Sequence, residues 1–443
     1  VFLSCASALA LCPPQPFHCL ALRKDLRQPA AFSPLDLALA PSEVAAGLRG
    51  LPGLAFIDTS GNLPSSYPSP LSIVAACPEA ILRGSLHHPA DLGRLRDALE
   101  TRAVARPDYG LPTGAAIGTI DYDGLFQFGF YDQLLVHQSS QWFQAGNLAA
   151  QLQAPTPSPV PPLTHWEQNF TRTGFINAIS RAQEYIAAGD IYQVNLAQRF
   201  HSTLPDGLDL FDLYDRLRQF SPAPMAAYLH TDEREVLSSS PETFLRMHGR
   251  SIETRPIKGT RPRFNDPEAD SRSAFELQTS DKEIAELVMI TDLQRNDLGR
   301  VCEFGSVKVT EMLKLERLEQ LYHLISTVSG QLRPGLGHLE ALVACFPGGS
   351  ITGAPKKRAT EIIAELEPEP RGLYTGAIGY FGYNGESQFN IAIRTLVRDK
   401  AHNTLSYHVG AGIVADSDPA AEYEETLHKA EGIRLALDSL ARI

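Results

Sequence analysis

The alternation of apolar and polar residues changes period along this chain, and each change marks an element. In NFTRTGFINAISRAQEYIAAGD (169–190), Ile176, Ile179 and Ile186 recur near helical spacing, and Gly189 marks the stop. EVLSSSPETFLRM (235–247) and SIETRPIKG (251–259) predict strands joined at His248-Gly249. TGAIGYFGYNGESQFNIAIRTLV (375–397) is a hairpin pattern with Asn384-Gly385 at its turn. Earlier, GLAFIDTSG (53–61) and AAIGTIDYDGLFQFGFYD (115–132) are strand-like and rich in aromatics and glycine. Helices and antiparallel strands in irregular order predict an α+β fold. The clearest break is QLQAPTPSPVPPLTHW (151–166), whose five prolines disfavour helix and central strand. It predicts an extended connector over 151–165, between an N-terminal region (1–150) and a second region (166–440). No internal repeat or low-complexity tail is visible.

Composition narrows the class. A chain of 443 residues, 43% hydrophobic and 20% charged, is an ordinary globular protein long enough for two or three domains. Its net charge of −12, without a basic cluster, makes it a poor partner for nucleic acid or an anionic membrane. No apolar run reaches the ~18 residues of a membrane span. The start, VFLSCASALALC, lacks a basic leading region and is not read as a signal peptide. Six cysteines in so long a chain do not form a disulfide framework. Cys5, Cys12 and Cys19 are evenly spaced, but no CxxC or nearby histidine cluster supports a zinc site. A reducing cytoplasm fits best.

Two predicted helices carry Glu-x-x-Glu. In TSDKEIAELVMITDLQRND (279–297), Ser280 can cap the helix with Glu283 completing a capping box. Glu286 is followed by Leu287, Val288, Met289 and Ile290, so this helix is apolar nearly all round and expected to be buried. A buried carboxylate needs a partner, and a cation is a good one. In DSDPAAEYEETLHKAEGIRLAL (416–437), Asp418 is the expected N-cap and Pro419 sits at N1. Glu422, Glu425 and Lys429 share a stripe beside the apolar Tyr423, Leu427, Ala430 and Leu437, while Glu424, His428 and Glu431 face solvent. Glutamate oxygens without Cys or His suit a hard ion such as Mg²⁺. Capping and solvated surface charge explain the same residues, and the sequence leaves both readings open.

FPGGSITGAPKKRATEII (346–363) has Gly348 and Gly353 at P-loop spacing, but Ala-Pro-Lys follows where Lys-Ser/Thr is required. What remains is a turn of exposed backbone N–H groups before a helix, able to hold a carboxylate. GAGIVADS (410–417) offers a second close backbone approach. In TRPIKGTRPR (254–263), Lys258 is either a solvated charge or an amine with a task.

Together PIKGTRPR, ELVMITDLQRNDLGRV, FPGGSITGAPK, IAIRT and GAGIVADSDPAAEYEET resemble, in order and spacing, the chorismate-utilising enzymes. That family includes anthranilate synthase component I, aminodeoxychorismate synthase component I, and the isochorismate and salicylate synthases. The resemblance is strong over about 166–440 and weaker before it. It implies an anthranilate-synthase-like fold: two facing antiparallel sheets, helices outside, and an active-site cleft. It further implies Glu286 and Glu425 as Mg²⁺ ligands, with Glu283 and Glu422 as their outer neighbours. Tyr374 and Arg394 resemble the pair that holds the enolpyruvyl carboxylate, helped by the backbone at Gly412. Thr260 and Thr352 resemble pocket residues for the ring, and Lys429 is placed with the substrate-binding set. His323 matches the family histidine near the reaction centre, and Glu242 the glutamate able to shuttle protons. One departure bears on a strand's polar contacts: Gln388, Phe389 and Asn390 stand where relatives commonly read Met-Asp-Thr.

Two positions discriminate within the family. Gln193 replaces the lysine that serves water-adding relatives as base, so the nucleophile is expected to be ammonia or an amine of the protein. PIKGT resembles the aminodeoxychorismate synthases, whereas anthranilate synthases resemble PIAGT. Lys258 is then expected to attack ring C2 and expel the C4 hydroxyl, with ammonia displacing it at C4. A lysine amine needs desolvation or a nearby proton acceptor for this. With no G-x-C-x-G glutaminase elbow, the resemblance implies a separate glutamine amidotransferase subunit as the ammonia source. The chain ends soon after the EYEET helix, which leaves no expectation of a fused lyase. The nearest alternative is anthranilate synthase component I. An alternative of another class is a non-catalytic sensor of chorismate or an aromatic amino acid; joint retention of Glu286, Glu425, Lys258 and Arg394 argues against it.

Overall fold

The computed structural model describes residues 32–440 apart from 62, 64–69, 105–109, 156–159, 164 and 206–207. Cys5, Cys12, Cys19 and the apolar start lie outside the described residues. Two antiparallel sheets dominate. One runs Phe32–Leu35, Gln141–Ala145, Leu134–Gln138, Leu71–Ala75, Ala55–Asp58, Met225–His230, Arg234–Ser240, Thr395–Asp399, Thr404–Ile413, Gln193–Thr203 and Gly353–Ala354. The other runs Ile257–Pro262, Leu321–Gln331, Ser251–Arg255, Thr243–His248, Glu386–Ile391, Ala377–Gly382, Ala115–Ile120, Leu125–Tyr131 and Ala80–Ser85. Strands from before and after the Pro-rich connector share both sheets.

One apolar cluster, including Ile57, Ile73, Ile117, Val136, Val236 and Ile378, draws side chains from both sheets and joins their inner faces. The outer faces are covered by helices. Pro41–Leu48, Phe211–Phe220 and Glu431–Ser439 pack with Phe56, Tyr228 and Leu237 of the first sheet. Pro89–Arg102, Asp281–Gly299 and His338–Cys345 contribute Leu95, Leu298 and Leu342 to the cluster over Phe128, Phe244 and Phe389 of the second. The result is the expected α+β arrangement.

Several expected elements stand and others divide. The helix Arg172–Ala187 ends before Gly189, whose φ of +82° suits glycine. The hairpin at Asn384-Gly385 forms as expected, Ala377–Gly382 pairing with Glu386–Ile391. EVLSSSPETFLRM, however, is two strands in different sheets: Arg234–Ser240 lies in the first and Thr243–His248 in the second. Pro241 cannot donate to a ladder, so the chain leaves one sheet there. SIETRPIKG divides at Pro256 into Ser251–Arg255 and Ile257–Pro262, which both pair with Leu321–Gln331.

The two acidic helices start where their caps predict. Ser280 accepts from the Glu283 N–H, and Asp418 from the Ala421 N–H at 2.7 Å. The reciprocal half of the Ser280 capping box is replaced: the Glu283 carboxylate turns to Arg261, 3.5 Å away. Nor is Asp281–Gly299 buried all round, for Leu287 and Ile290 are fully buried but Val288 is 42% exposed. The second helix divides at Ala430 into Pro419–Lys429 and Glu431–Ser439. Among the described residues no helix is long and apolar enough to cross a membrane.

Candidate active site

A second crossover answers the one at Pro241. After Glu386–Ile391 in the second sheet, the chain passes through Ala392, Ile393 and Arg394 to Thr395–Asp399 in the first. The two crossovers are bonded to each other. The Ile391 N–H donates to the Glu242 carbonyl at 3.1 Å, and the Ser239 N–H to the Arg394 carbonyl at 3.0 Å. They deliver the Glu242 and Arg394 side chains to one cleft of about 640 Å³. Arg394 has φ +50°, a left-handed conformation that non-glycine residues seldom adopt.

The loop of the lysine lines the same cleft. Gly259 has φ +71°, and a Cβ there would lie 2.6 Å from Leu277 Cδ1 and 3.1 Å from the Glu283 carboxylate. Glycine therefore lets the Glu283–Glu286 helix approach the strand carrying Lys258. Lys258 Nζ lies 3.1 Å from Glu286 Oε2. It also lies 3.4 Å from where a Gly412 Cβ would be, and Gln193 Nε2 lies 2.4 Å from that same point. Gly412 is thus the gap in the cleft floor that admits both side chains.

The four glutamates converge from the two helices, each beside a cation. Glu286 faces Lys258, Glu283 faces Arg261, Glu422 faces Lys282 at 3.1 Å, and Glu425 faces Lys429 at 2.7 Å. Lys429 also donates to the Gly410 carbonyl at 3.1 Å, and Glu422 accepts from Ser417 at 2.8 Å. Burial, then the charges of Glu286 and Glu425, push the Glu283 carboxyl above its usual range. Burial works against ionisation of Glu425 too, but Lys429, then Lys282 and Lys258, hold its carboxyl low. An all-oxygen set of mutually repelling carboxylates fits a hard divalent cation such as Mg²⁺. Among the described residues no three acidic, imidazole or thiol groups already close into a metal-sized cluster.

Opposite the glutamates the chemistry reverses. The Arg394 side chain lines the cleft with no hydrogen-bond or ion-pair partner among the described residues, and burial lowers its pKa. A desolvated guanidinium without a carboxylate is a receptor for one. Tyr374 stands beside it in the lining, stacked on His408 with ring centroids 5.1 Å apart. His323 Nδ1 lies 3.0 Å from the Thr260 hydroxyl. Burial, with the charge of Arg394, pushes His323 down to about 3, so its ring is neutral. Such a ring serves as hydrogen-bonding wall rather than as a general base at neutral pH.

Burial pushes the Glu242 carboxyl from its ordinary 4.5 up to about 7, against the Ser350 hydroxyl, the Lys258 charge and the Ile257 N–H. A carboxyl with that value can take and return a proton near neutrality. The linkage has a definite sign: stability contributed by the neutral form is complete below 4.5 and lost as pH rises through 7. Relative to Glu242→Gln, the wild type should lose roughly 3 kcal/mol between pH 5 and 8. Calorimetric melts of both proteins across that window check this, and a pH-independent difference would refute titration there.

Two expectations change. Thr352 is fully buried and its hydroxyl donates to the Gly348 carbonyl at 3.2 Å, behind the cleft wall rather than in it. The glycine-rich loop is not an exposed anion cradle either. Cβ atoms at Gly348 and Gly349 would strike Ile391 and Leu293 at 2.6 Å, so these glycines serve close packing. Ser350 and Ile351 are its contribution to the cleft. In the Gln388–Asn390 departure, Asn390 donates to the Met225 carbonyl at 2.8 Å and accepts from the Ile378 N–H at 3.0 Å. Its polar contacts are therefore structural ones. Arg261, Lys282, Asn195 and His408 line the site without having been singled out from sequence. Lys282 adjoins Glu283 and Arg261 lies in the PIKGTRPR loop, and that adjacency was the available signal.

A larger cavity of about 1160 Å³ shares Tyr374 and His408 with the cleft. Several of its charges are already paired, Arg83 with Asp232, Arg94 with Asp91 and Arg234 with Asp121. The cleft, with its unpaired Arg394, is the better candidate for anion chemistry.

Comparison with known proteins agrees. The profile of the chorismate binding enzyme family matches residues 108–434. Anthranilate synthase component 1 of Streptomyces coelicolor is 47% identical over 273 residues, covering 61% of this chain and 53% of that protein. Aminodeoxychorismate synthase component 1 of Klebsiella aerogenes is 42% identical over 349 residues, covering 79% of this chain and 76% of that protein. For most of the curated relatives matched, the aligned part of the chain spans little more than half their length. Among solved structures, anthranilate synthase component I from Streptococcus pneumoniae TIGR4 superposes with a TM-score of 0.72 at 28% identity, covering 84% of this chain and 94% of that one.

Proposed function

The chain belongs to the chorismate binding enzyme family, and on that premise we propose that it aminates chorismate as an aminodeoxychorismate synthase component I. The observation carrying this choice is the Lys258 amine inside the cleft, 3.1 Å from Glu286 and beside Gly412. The 4-amino-4-deoxychorismate formed would feed p-aminobenzoate and folate synthesis. Arg394 and Tyr374 hold the enolpyruvyl carboxylate. Glu286 and Glu425, with Glu283 and Glu422 behind them, would hold Mg²⁺, which when bound supplies positive charge to the ring carboxylate. Lys258 Nζ, having given a proton to the Glu242 carboxylate, attacks ring C2, both ring double bonds shift, and the C4 hydroxyl leaves as water with that proton. Glu242, able to exchange protons near neutral pH, is the acid for that departure. Ammonia then attacks C4, the double bonds return, and the Lys258 amine is released from C2. The sum is chorismate plus ammonia giving aminodeoxychorismate plus water. Gln193, a neutral amide beside the amine, cannot activate water as a lysine could.

The similarity to anthranilate synthase component 1 at 47% identity keeps that enzyme as the second reading. Chorismate, Mg²⁺ and ammonium incubated with the pure protein separate the two. Anthranilate fluoresces directly, whereas aminodeoxychorismate yields p-aminobenzoate only after a lyase is added. Direct fluorescence would reverse the choice.

The relatives' designation as component 1 supports a separate glutamine amidotransferase subunit as the ammonia source. Ammonium salts at raised pH should therefore sustain turnover, and glutamine alone should not. Glutamine-dependent turnover by the purified chain would contradict the need for a partner.

A further inference from the structure

Arg394 lines the cleft with no partner among the described residues, whereas a second arginine behind the wall has every donor taken. Arg371 is 3% exposed. Its Nε donates to Glu367 Oε2 at 2.9 Å and its Nη2 to Glu367 Oε1 at 2.6 Å. Nη2 also donates to the Asn195 carbonyl at 2.7 Å. Nη1 donates to the Ile351 carbonyl and to the Thr375 hydroxyl, each at 3.2 Å. These contacts occupy all five donors of a guanidinium. Its face lies 4.8 Å from the Tyr122 ring centroid and 5.7 Å from that of Tyr374. Arg371 therefore has nothing left to offer a substrate carboxylate, unlike Arg394.

What it holds are three pieces of cleft wall. Asn195 belongs to the strand Gln193–Thr203 and lines the cleft. Ile351 and the preceding Ser350 line the cleft together with Glu242. Thr375 follows Tyr374 and has φ +61°, a left-handed conformation unfavourable for a β-branched residue. The Thr375 hydroxyl, held by Arg371, donates in turn to the Tyr374 carbonyl at 2.5 Å. Glu367 extends the tie, accepting from the Ala197 N–H at 2.9 Å. Lysine has three donors on a point charge and cannot reproduce this planar fork.

We propose that Arg371 is a positioning residue that sets Tyr374, Asn195 and the Ser350–Ile351 segment in one fixed geometry for the substrate. This rests on the reading of the cleft as a chorismate site. It acts through those side chains and touches no reacting atom.

The test compares the full-length wild type with Arg371→Lys and with the double variant Arg371→Met/Glu367→Met, which strands no buried charge. Hydrogen exchange should show lost protection together at 193–197, 349–353 and 371–375, with the distant strands Leu71–Ala75 and Leu134–Gln138 unchanged. Chorismate affinity by equilibrium dialysis should weaken roughly 10–100-fold in both, the range for loss of an outer supporting contact. Tyr374→Phe should then cost less in the double-variant background than in the wild type, because its ring is already misplaced. Wild-type protection and affinity in Arg371→Lys would show that charge suffices and overturn the proposal. So would lost protection with unchanged affinity, or full additivity with Tyr374→Phe. A wild type that binds no chorismate would overturn the functional reading instead, while the exchange pattern still decides whether the fork ties the three segments.

Discussion

Lys258→Ala should abolish the 4-amino product and turn residual turnover toward 2-amino-2-deoxyisochorismate. The amine is the cleft's own nucleophile in the proposed reaction, and it lies at the cleft floor beside Gly412. Removing it leaves Arg394, Tyr374 and the glutamates in place, so ammonia can attack C2 directly. Turnover should fall more than substrate affinity, because what is lost acts during the reaction rather than on binding. Mass spectrometry of wild-type protein with chorismate and no ammonia should show an adduct on the peptide containing PIKGTRPR, absent from the variant. The substitution also leaves Glu286, 9% exposed, without its cation. An uncompensated buried charge of this kind costs about 3–5 kcal/mol. Lys258→Ala should therefore melt earlier than wild type in metal-free buffer and recover when Mg²⁺ is added. An unchanged rate and an unchanged 4-amino product would leave Lys258 only the ion-pair partner of Glu286 and remove the basis for preferring this branch of the family.

Glu286→Gln should leave the fold intact and remove turnover. Glutamine is isosteric, but it has no charge to offer a divalent cation, and it also loses the ion pair with Lys258. Removing a single electrostatic stabiliser from an enclosed site typically lowers kcat by about 10²–10³-fold. Loss of a metal ligand should reach at least that. A readout independent of activity is available: Mg²⁺ should raise the melting temperature of the wild type with a saturable dependence on concentration, and of Glu286→Gln far less. Excess EDTA should silence the wild type. Turnover that survives EDTA, or a variant as strongly stabilised by Mg²⁺ as the wild type, would remove the magnesium reading altogether.

Both predictions depend on one architectural device. Glu242 and Arg394 occupy adjacent crossovers between the sheets, and those crossovers bond to each other. The proposed acid, Glu242, and the proposed carboxylate receptor, Arg394, are thus held by backbone from both sheets. The two acidic helices bring four carboxylates into the same cleft, and their present partners are lysines and an arginine. A dianionic substrate and a divalent cation together would complement this arrangement better than either alone.

Much of the site was legible in the chain because its signals are short-range. Ser280 and Asp418-Pro419 start the acidic helices where caps dictate, and helical spacing puts Glu422, Glu425 and Lys429 along one stripe. Asn384-Gly385 fixes its hairpin because the turn needs a residue at positive φ, and Gly385 adopts +79°. Lys258 was conspicuous from its neighbours alone. These features need only residues within a few positions of each other.

The tertiary structure decided the rest. Pro241 marks a break in EVLSSSPETFLRM, but no local pattern shows that the two halves join different sheets, because partners far along the chain, Thr395–Asp399 for one and Glu386–Ile391 for the other, help decide it. Val288 looked buried and is exposed, since an apolar run does not say which side of a helix meets the core. Thr352 looked like a pocket residue and turned inward because the Gly348 carbonyl needed a donor. Arg371 passed unnoticed because its partners, Asn195, Ile351, Glu367 and Thr375, are scattered over 181 positions and meet only in the folded chain. The sequence by itself determined which chemical groups are available and how each begins its local element. Which carboxylate meets which cation, and which arginine is left free for a ligand, was decided only when both sheets closed around them. Desolvation is what makes an unpaired charge costly, and it exists only in the assembled fold.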